Sequence, residues 1–170
     1  MPFDRNIVKT AKAIHAELGD LLGPPEDGVA SPTQRVILTS LVRQTRGYIE
    51  SVANQINGTY ESGWYDCCSV MIRRLIETLI IEAFEAKGIA DNIKNGSGEF
   101  FYLGELIDKT LAETSWNLTR NTKQALPRLK DIGDKSAHSR RYIAKRGDIQ
   151  PLLADIRMVI QELLFLSGLK

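Results

Sequence analysis

Residues 64–88 read WYDCCSVMIRRLIETLIIEAFEAKG. At 100° per residue, Val70, Met71, Ile72, Leu75, Ile76, Leu79, Ile80, Ile81 and Phe84 cover most of the circumference of a helix rather than one stripe. A helix of that kind cannot lie on a surface with one face in water, so the rest of the chain must wrap it with further helices. Its interruptions are charged: Arg73 and Arg74 stand four and three residues before Glu77. Those spacings permit a local ion pair, and a charge in a packed interior is costly unless it is paired. The three residues therefore read either as an ion pair facing solvent or joining helices, or as part of a functional cluster.

The flanking spacing is helical as well. Ile7, Ala11, Ile14 and Leu18 mark a first helix, ended by Gly23-Pro24-Pro25. A second is expected with Ser31 as N-cap and Pro32 in its first turn, carrying Val36, Ile37, Leu41, Tyr48, Ile49, Val52 and Ile56 and stopping at NGTYESG, residues 57–63. Beyond the apolar helix, a glycine-bearing loop leads into a helix through Leu103, Leu106, Ile107 and Leu111. Another runs from near Leu118 to Leu126, where Pro127 opens a separate helix to His138. The last follows Gly147, with Asp148 as N-cap, and presents Leu152, Leu153, Ile156, Val159, Ile160, Leu163 and Leu164. No apolar run alternates as a strand would. The expected fold is all-α, a bundle of about five to seven helices. We read residues 1–170 as a single helical domain, with 1–30 an N-terminal helix plus loop and 31–170 the bundle core.

Hydrophobic residues make up 43% and charged residues 25%, the balance of a soluble folded chain. No run of about 18 apolar residues could span a bilayer, and the amphipathic start does not read as a signal peptide, so no membrane and a cytoplasmic location are expected. Cys67 and Cys68 are adjacent, which suits neither an ordinary disulfide nor a four-ligand zinc site. No metal or cofactor is expected, since H-E-x-x-H, G-x-S-x-G and phosphate-loop spacings are all missing. Phe100, Phe101 and Tyr102 could stack on bases, but beside a helix start they read first as anchors to the core.

Charge is distributed unevenly. Residues 120–146 hold nine Lys or Arg against Asp131 and Asp134, a local balance of +7 that leaves −6 for the remainder of a chain of net +1. Such a segment can hold phosphate, or it can be a solvated face paired with acidic residues elsewhere. Within it, Lys130, Asp134 and His138 fall four apart and share a helix face. Asp134 could orient the imidazole while Lys130 adds positive charge, and Arg140 and Arg141 follow directly. Gly133, Ser136 and Ala137 form a small-residue patch that would let the apolar helix, or its symmetry mate, approach closely. A histidine so placed can take a proton from a ribose 2′-hydroxyl and return one to the leaving oxygen while cations stabilise the phosphorane-like charge. That chemistry needs a base and an acid, and with one suitable histidine per chain a two-fold homodimer would supply both. His15 is a weaker second candidate. The alternative is a structural histidine at a helix end, bonded to Asp134 or a carbonyl.

Three stretches together, YDCCSVMIRRLIETLIIEAF, LGELIDKTL and LKDIGDKSAH, resemble the HEPN superfamily, specifically a helical branch described as a domain of unknown function. That branch carries R-R-x-x-E on a long helix and then Arg-x-x-Gly-Asn-x-Ala-Ala-His. Arg73, Arg74 and Glu77 match the first pattern; Gly133, Asp134, Ala137 and His138 match the second, with Lys130 in place of Arg, Asp134 in place of Asn and Ser136 in place of Ala. The resemblance covers about residues 45–165 and implies an antiparallel HEPN-like bundle. It further implies dimerisation through the helix bearing the histidine, and association with RNA, nucleotides or prokaryotic defence.

The ribonuclease motif of the superfamily, Arg followed by four to six residues and His, is broken here, because Asp131, Ile132 and Gly133 occupy the positions where its Arg would stand. Nor can Lys130 reproduce a bidentate guanidinium clamp. No tyrosine stands two residues after His138, as it does in toxin members; that position is Arg140. Two readings follow. In the first, an RNA- or nucleotide-binding domain, open to metal-independent endoribonuclease activity, uses His138, Lys130 and Asp134 as its catalytic group and Arg73, Arg74, Glu77, Arg140 and Arg141 to hold phosphate. In the second, a non-catalytic dimerisation or partner-protein module uses the same residues to fix helix register.

Overall fold

The structure, a computed structural model, describes residues 9, 10, 13, 14 and 35–170. Ile7, Ala11, His15, Leu18, the Gly23-Pro24-Pro25 breaker, Ser31 and Pro32 lie outside the described residues. In chain order the elements are α1 (Thr39–Val42), α2 (Gly47–Glu61), α3 (Tyr65–Ala86), a 3-10 turn (Ala90–Ile93), α4 (Leu103–Ala112), α5 (Arg120–His138), α6 (Arg146–Ile149), a second 3-10 turn (Gln150–Leu152) and α7 (Leu153–Leu166). Among the described residues there is no strand, only an isolated bridge between Lys94 and Phe100. The expected all-α bundle is what forms.

α3 stands at the centre and packs against α2, α4, α5 and α7. Ile72, Leu75, Ile76, Leu79, Ile80, Ala83 and Phe84 are buried along it, and removing that apolar area from water is what drives the other helices onto it. α4 joins through Leu103, Leu106 and Ile107. Trp116 then closes the following loop, its ring edge-on to Phe84 with centroids 4.8 Å apart and its indole N–H donating to the Thr110 carbonyl at 3.1 Å.

The expected second helix is two helices. Arg43 is extended and Gln44 adopts φ 66°, so the chain breaks between α1 and α2. Val36 and Ile37 are fully buried yet lie outside any helix, just before α1; burial gave them their apolar identity and helical spacing was coincidental. The Asn57 side chain, inside α2 rather than at its end, holds this segment. Its amide oxygen accepts from Ile37 N and its amide nitrogen donates to Ile37 O, both at 2.9 Å. Arg157 of α7 donates to the Val36 carbonyl at 3.1 Å and to that of Arg35. α2 continues through the glycine-bearing NGTYE stretch because Asn57 and Tyr60 are both buried, and it ends at Gly63, whose φ of 77° suits a residue without Cβ.

α5 is likewise continuous through Pro127, where two helices were expected. Ala125, Leu126, Leu129 and Ile132 form one buried stripe across the proline, and packing that stripe against α3 and α7 outweighs the hydrogen bond that proline removes. In the loosened turn, Arg128 Nε donates to the Gln124 carbonyl at 3.3 Å. The α5 start is capped by Thr119, which Glu162 of α7 grips through its N–H at 2.7 Å and its hydroxyl at 2.9 Å. Asp148 is not the cap of the last helix. It sits inside α6, where its carboxylate accepts Lys145 N at 2.8 Å, and α7 begins only at Leu153. Of the three aromatics before α4, Phe101 packs on the core as expected, whereas Tyr102 is 84% exposed.

Candidate functional site

α3 and α5 lie against each other in opposite directions. Arg73 and Ser69 meet Gly133, while Asp66, nearer the start of α3, accepts Ala144 N at 3.0 Å from beyond the end of α5. The expected close approach at the small-residue patch occurs at Gly133. A Cβ there would lie 2.7 Å from Arg73 Cβ, 3.1 Å from Arg73 Cδ and 3.2 Å from the Ser69 carbonyl oxygen. Only glycine leaves room for the stem of Arg73 to cross α5.

That crossing delivers the Arg73 guanidinium to Asp134, Nε to Oδ1 at 2.8 Å, while its Nη1 reaches Glu77 at 3.4 Å. The other Asp134 oxygen takes Lys130 Nζ at 2.5 Å. The Lys130 stem lies across α4, its Cε 3.2 Å from where a Cβ on Gly104 would stand. Arg73, Glu77, Lys130 and Asp134 are thus one half-buried network joining α3, α4 and α5. Burial alone would raise the Asp134 carboxyl, but hydrogen bonds from Lys130 and Arg73, with their charges, hold it below the ordinary aspartate value. Both oxygens being occupied, Asp134 makes no hydrogen bond to His138 among the described residues; the helix is continuous, so the two still share a face one turn apart.

The remaining candidates are elsewhere or differently engaged. Arg74 is exposed on α3. His138, Arg140 and Arg141 are exposed at the end of α5 and the start of the next loop, and among the described residues their side chains make no ion pair or hydrogen bond. The basic segment therefore splits. Lys130 is spent on Asp134, Lys135 on Asp131 at 2.7 Å and Arg128 on Asp155 at 2.9 Å, whereas Arg140 and Arg141 have no carboxylate partner among the described residues.

A cleft of about 480 Å³ runs beside α5, lined by Asp131, Lys135, Tyr142 and Asp148 among others. Its charges are mutually satisfied. Burial, then the Asp148 carboxylate that its hydroxyl bonds, push the Tyr142 phenol up to about 12. Cys67 is exposed and Cys68 buried, both free; burial pushes the Cys68 thiol up to about 12 against a hydrogen bond with Thr59. Among the described residues no three His, Cys, Asp or Glu side chains gather as metal ligands, and no helix is long and apolar enough to cross a membrane.

Two residues were not among the sequence candidates. Glu82, a further charge on α3, is buried, accepts a hydrogen bond from the Tyr48 hydroxyl and pairs with Arg46 at 3.2 Å. Burial raises its carboxyl, Arg46 opposes the rise and Glu85 adds to it. Its signal was an acidic residue on an otherwise apolar helix. Trp64, immediately before α3, is 58% exposed, and no spacing rule distinguishes it from a buried helix-start tryptophan. No family model, curated protein or solved structure matches the chain.

Proposed function

We propose that this chain is a HEPN-like RNA-binding domain that holds phosphates at the α5 end of the bundle without cleaving them. The observation that carries the reading is the division of the basic segment: Arg140 and Arg141 are exposed with no carboxylate partner among the described residues, beside an equally unpartnered His138. Unpaired guanidinium groups at a surface are suited to phosphate, because binding costs them no internal ion pair and releases counterions from the RNA. Arg73, Glu77, Lys130 and Asp134 belong to the framework, since removing Asp134 would strip half-buried Lys130 of its carboxylate and leave Arg73 with only its longer pair to Glu77. Catalysis draws no support from the arrangement: among the described residues His138 has no acid, base or orienting partner, and Lys130 and Asp134 are bound to each other.

The test is fluorescence anisotropy of a labelled single-stranded RNA at low salt, with the same RNA checked for cleavage without added metal. Wild type binds and leaves the RNA intact, and Arg140→Ala/Arg141→Ala loses affinity. Equal affinity in the double variant overturns the phosphate site. Metal-independent cleavage that His138→Ala abolishes would restore the endoribonuclease reading.

A further inference from the structure

Trp64 and the Arg140/Arg141 loop belong to one end of the molecule. Asp66, two residues after Trp64, accepts Ala144 N at 3.0 Å, and Ala144 adjoins Ile143, which is 72% exposed. This hydrogen bond, with α3 and α5 antiparallel, brings the start of α3 to the loop that leaves α5. A large aromatic ring more than half exposed therefore stands at the same end as two arginines without partners among the described residues. Tyr102 is more exposed still, but it starts α4, whose Gly104 meets Lys130, two turns before the end of α5.

Resting on the RNA-binding reading above, we infer that Trp64 is a stacking platform for an unpaired base of single-stranded RNA whose phosphates lie against Arg140 and Arg141. Every base has a π-face, so a single indole beside cationic side chains recognises single strands irrespective of sequence. A duplex offers it no free base. Asp66 and Asp148 accept the backbone N–H groups of Ala144 at 3.0 Å and Lys145 at 2.8 Å, and Asp148 also takes the Tyr142 hydroxyl. The surface is thus complementary in both respects that a single strand presents, a negative backbone and unstacked rings.

The chain carries two tryptophans, which makes the proposal directly readable. Trp116 is buried edge-on against Phe84 with its N–H bonded to Thr110, so emission that responds to RNA comes from Trp64. Wild-type protein is titrated with single-stranded oligouridine and with a duplex RNA, following tryptophan emission and, in parallel, anisotropy of a labelled copy. The expected result is quenching by the single strand and not by the duplex, with Trp64→Ala binding about 5- to 100-fold more weakly and Trp64→Phe near wild type. Circular dichroism confirms that the exposed substitutions leave the bundle folded. Full affinity of Trp64→Ala with unchanged emission on binding overturns the stacking platform while leaving the phosphate site standing. No anisotropy change at low salt overturns both.

Discussion

Gly133 sets how closely α3 and α5 approach, because its missing Cβ is the space that Arg73 occupies. Gly133→Ala gains helix propensity of about 1 kcal/mol but meets a Cβ and a backbone carbonyl, neither of which is a flexible side-chain tip, so overpacking prevails. A net loss of about 1–2 kcal/mol in urea unfolding is expected; a stabilised variant would mean that the helices are not in contact there. Asp134 adds a pH dependence. Its folded carboxyl titrates below the ordinary value of about 3.9, so its contribution is complete above that value and is lost as pH falls through the depressed one. Asp134→Asn should lower stability at neutral pH and flatten the acid limb of the stability curve below about pH 4. An unchanged acid limb would place Asp134 outside the network. At this scale the sequence was partly legible: Arg73, Glu77, Lys130 and Asp134 could be picked out by spacing, but spacing along single helices cannot say that Arg73 crosses to Asp134 and draws its carboxylate away from His138.

At the scale of elements, α3 was readable end to end because an all-round apolar helix has one solution, the middle of a bundle. The boundaries that differ are those where tertiary contact overrides local signals. Asn57 and Gly58 read as a stop, yet Asn57 is buried and clamps the Ile37 backbone from within α2. Asn57→Ala should cost about 2–4 kcal/mol, since it strands a buried N–H and carbonyl, and protease cleavage between α1 and α2 should rise with it. Wild-type stability would show that residues 35–42 are held by Arg157 alone. Pro127 read as a helix start, yet a buried stripe carries α5 through it. Pro127→Ala restores a donor to the Lys123 carbonyl, and after the lost rigidity of the unfolded chain is subtracted it should stabilise by about 1–2 kcal/mol. A destabilised variant would mean that the proline ring itself packs usefully at the cleft it lines.

Across the whole molecule, charge is divided between two separate tasks. Half-buried charges between α3, α4 and α5 hold the framework, and Arg140 and Arg141, unpaired among the described residues, are exposed at the same end as Trp64. The net charge of +1 conceals this division, and the +7 of residues 120–146 overstates the available cation, because Lys130, Lys135 and Arg128 are already paired. Counting charges from the sequence could locate the segment but not separate its engaged members from its free ones. The most direct test is the salt dependence of RNA affinity in wild type and Arg140→Ala/Arg141→Ala. Each phosphate neutralised on a single strand contributes about −0.7 to the slope of log K against log salt. Wild type should show a steep slope that the double variant makes shallower by about 1.4; identical slopes and affinities in the two proteins would contradict a phosphate site at Arg140 and Arg141.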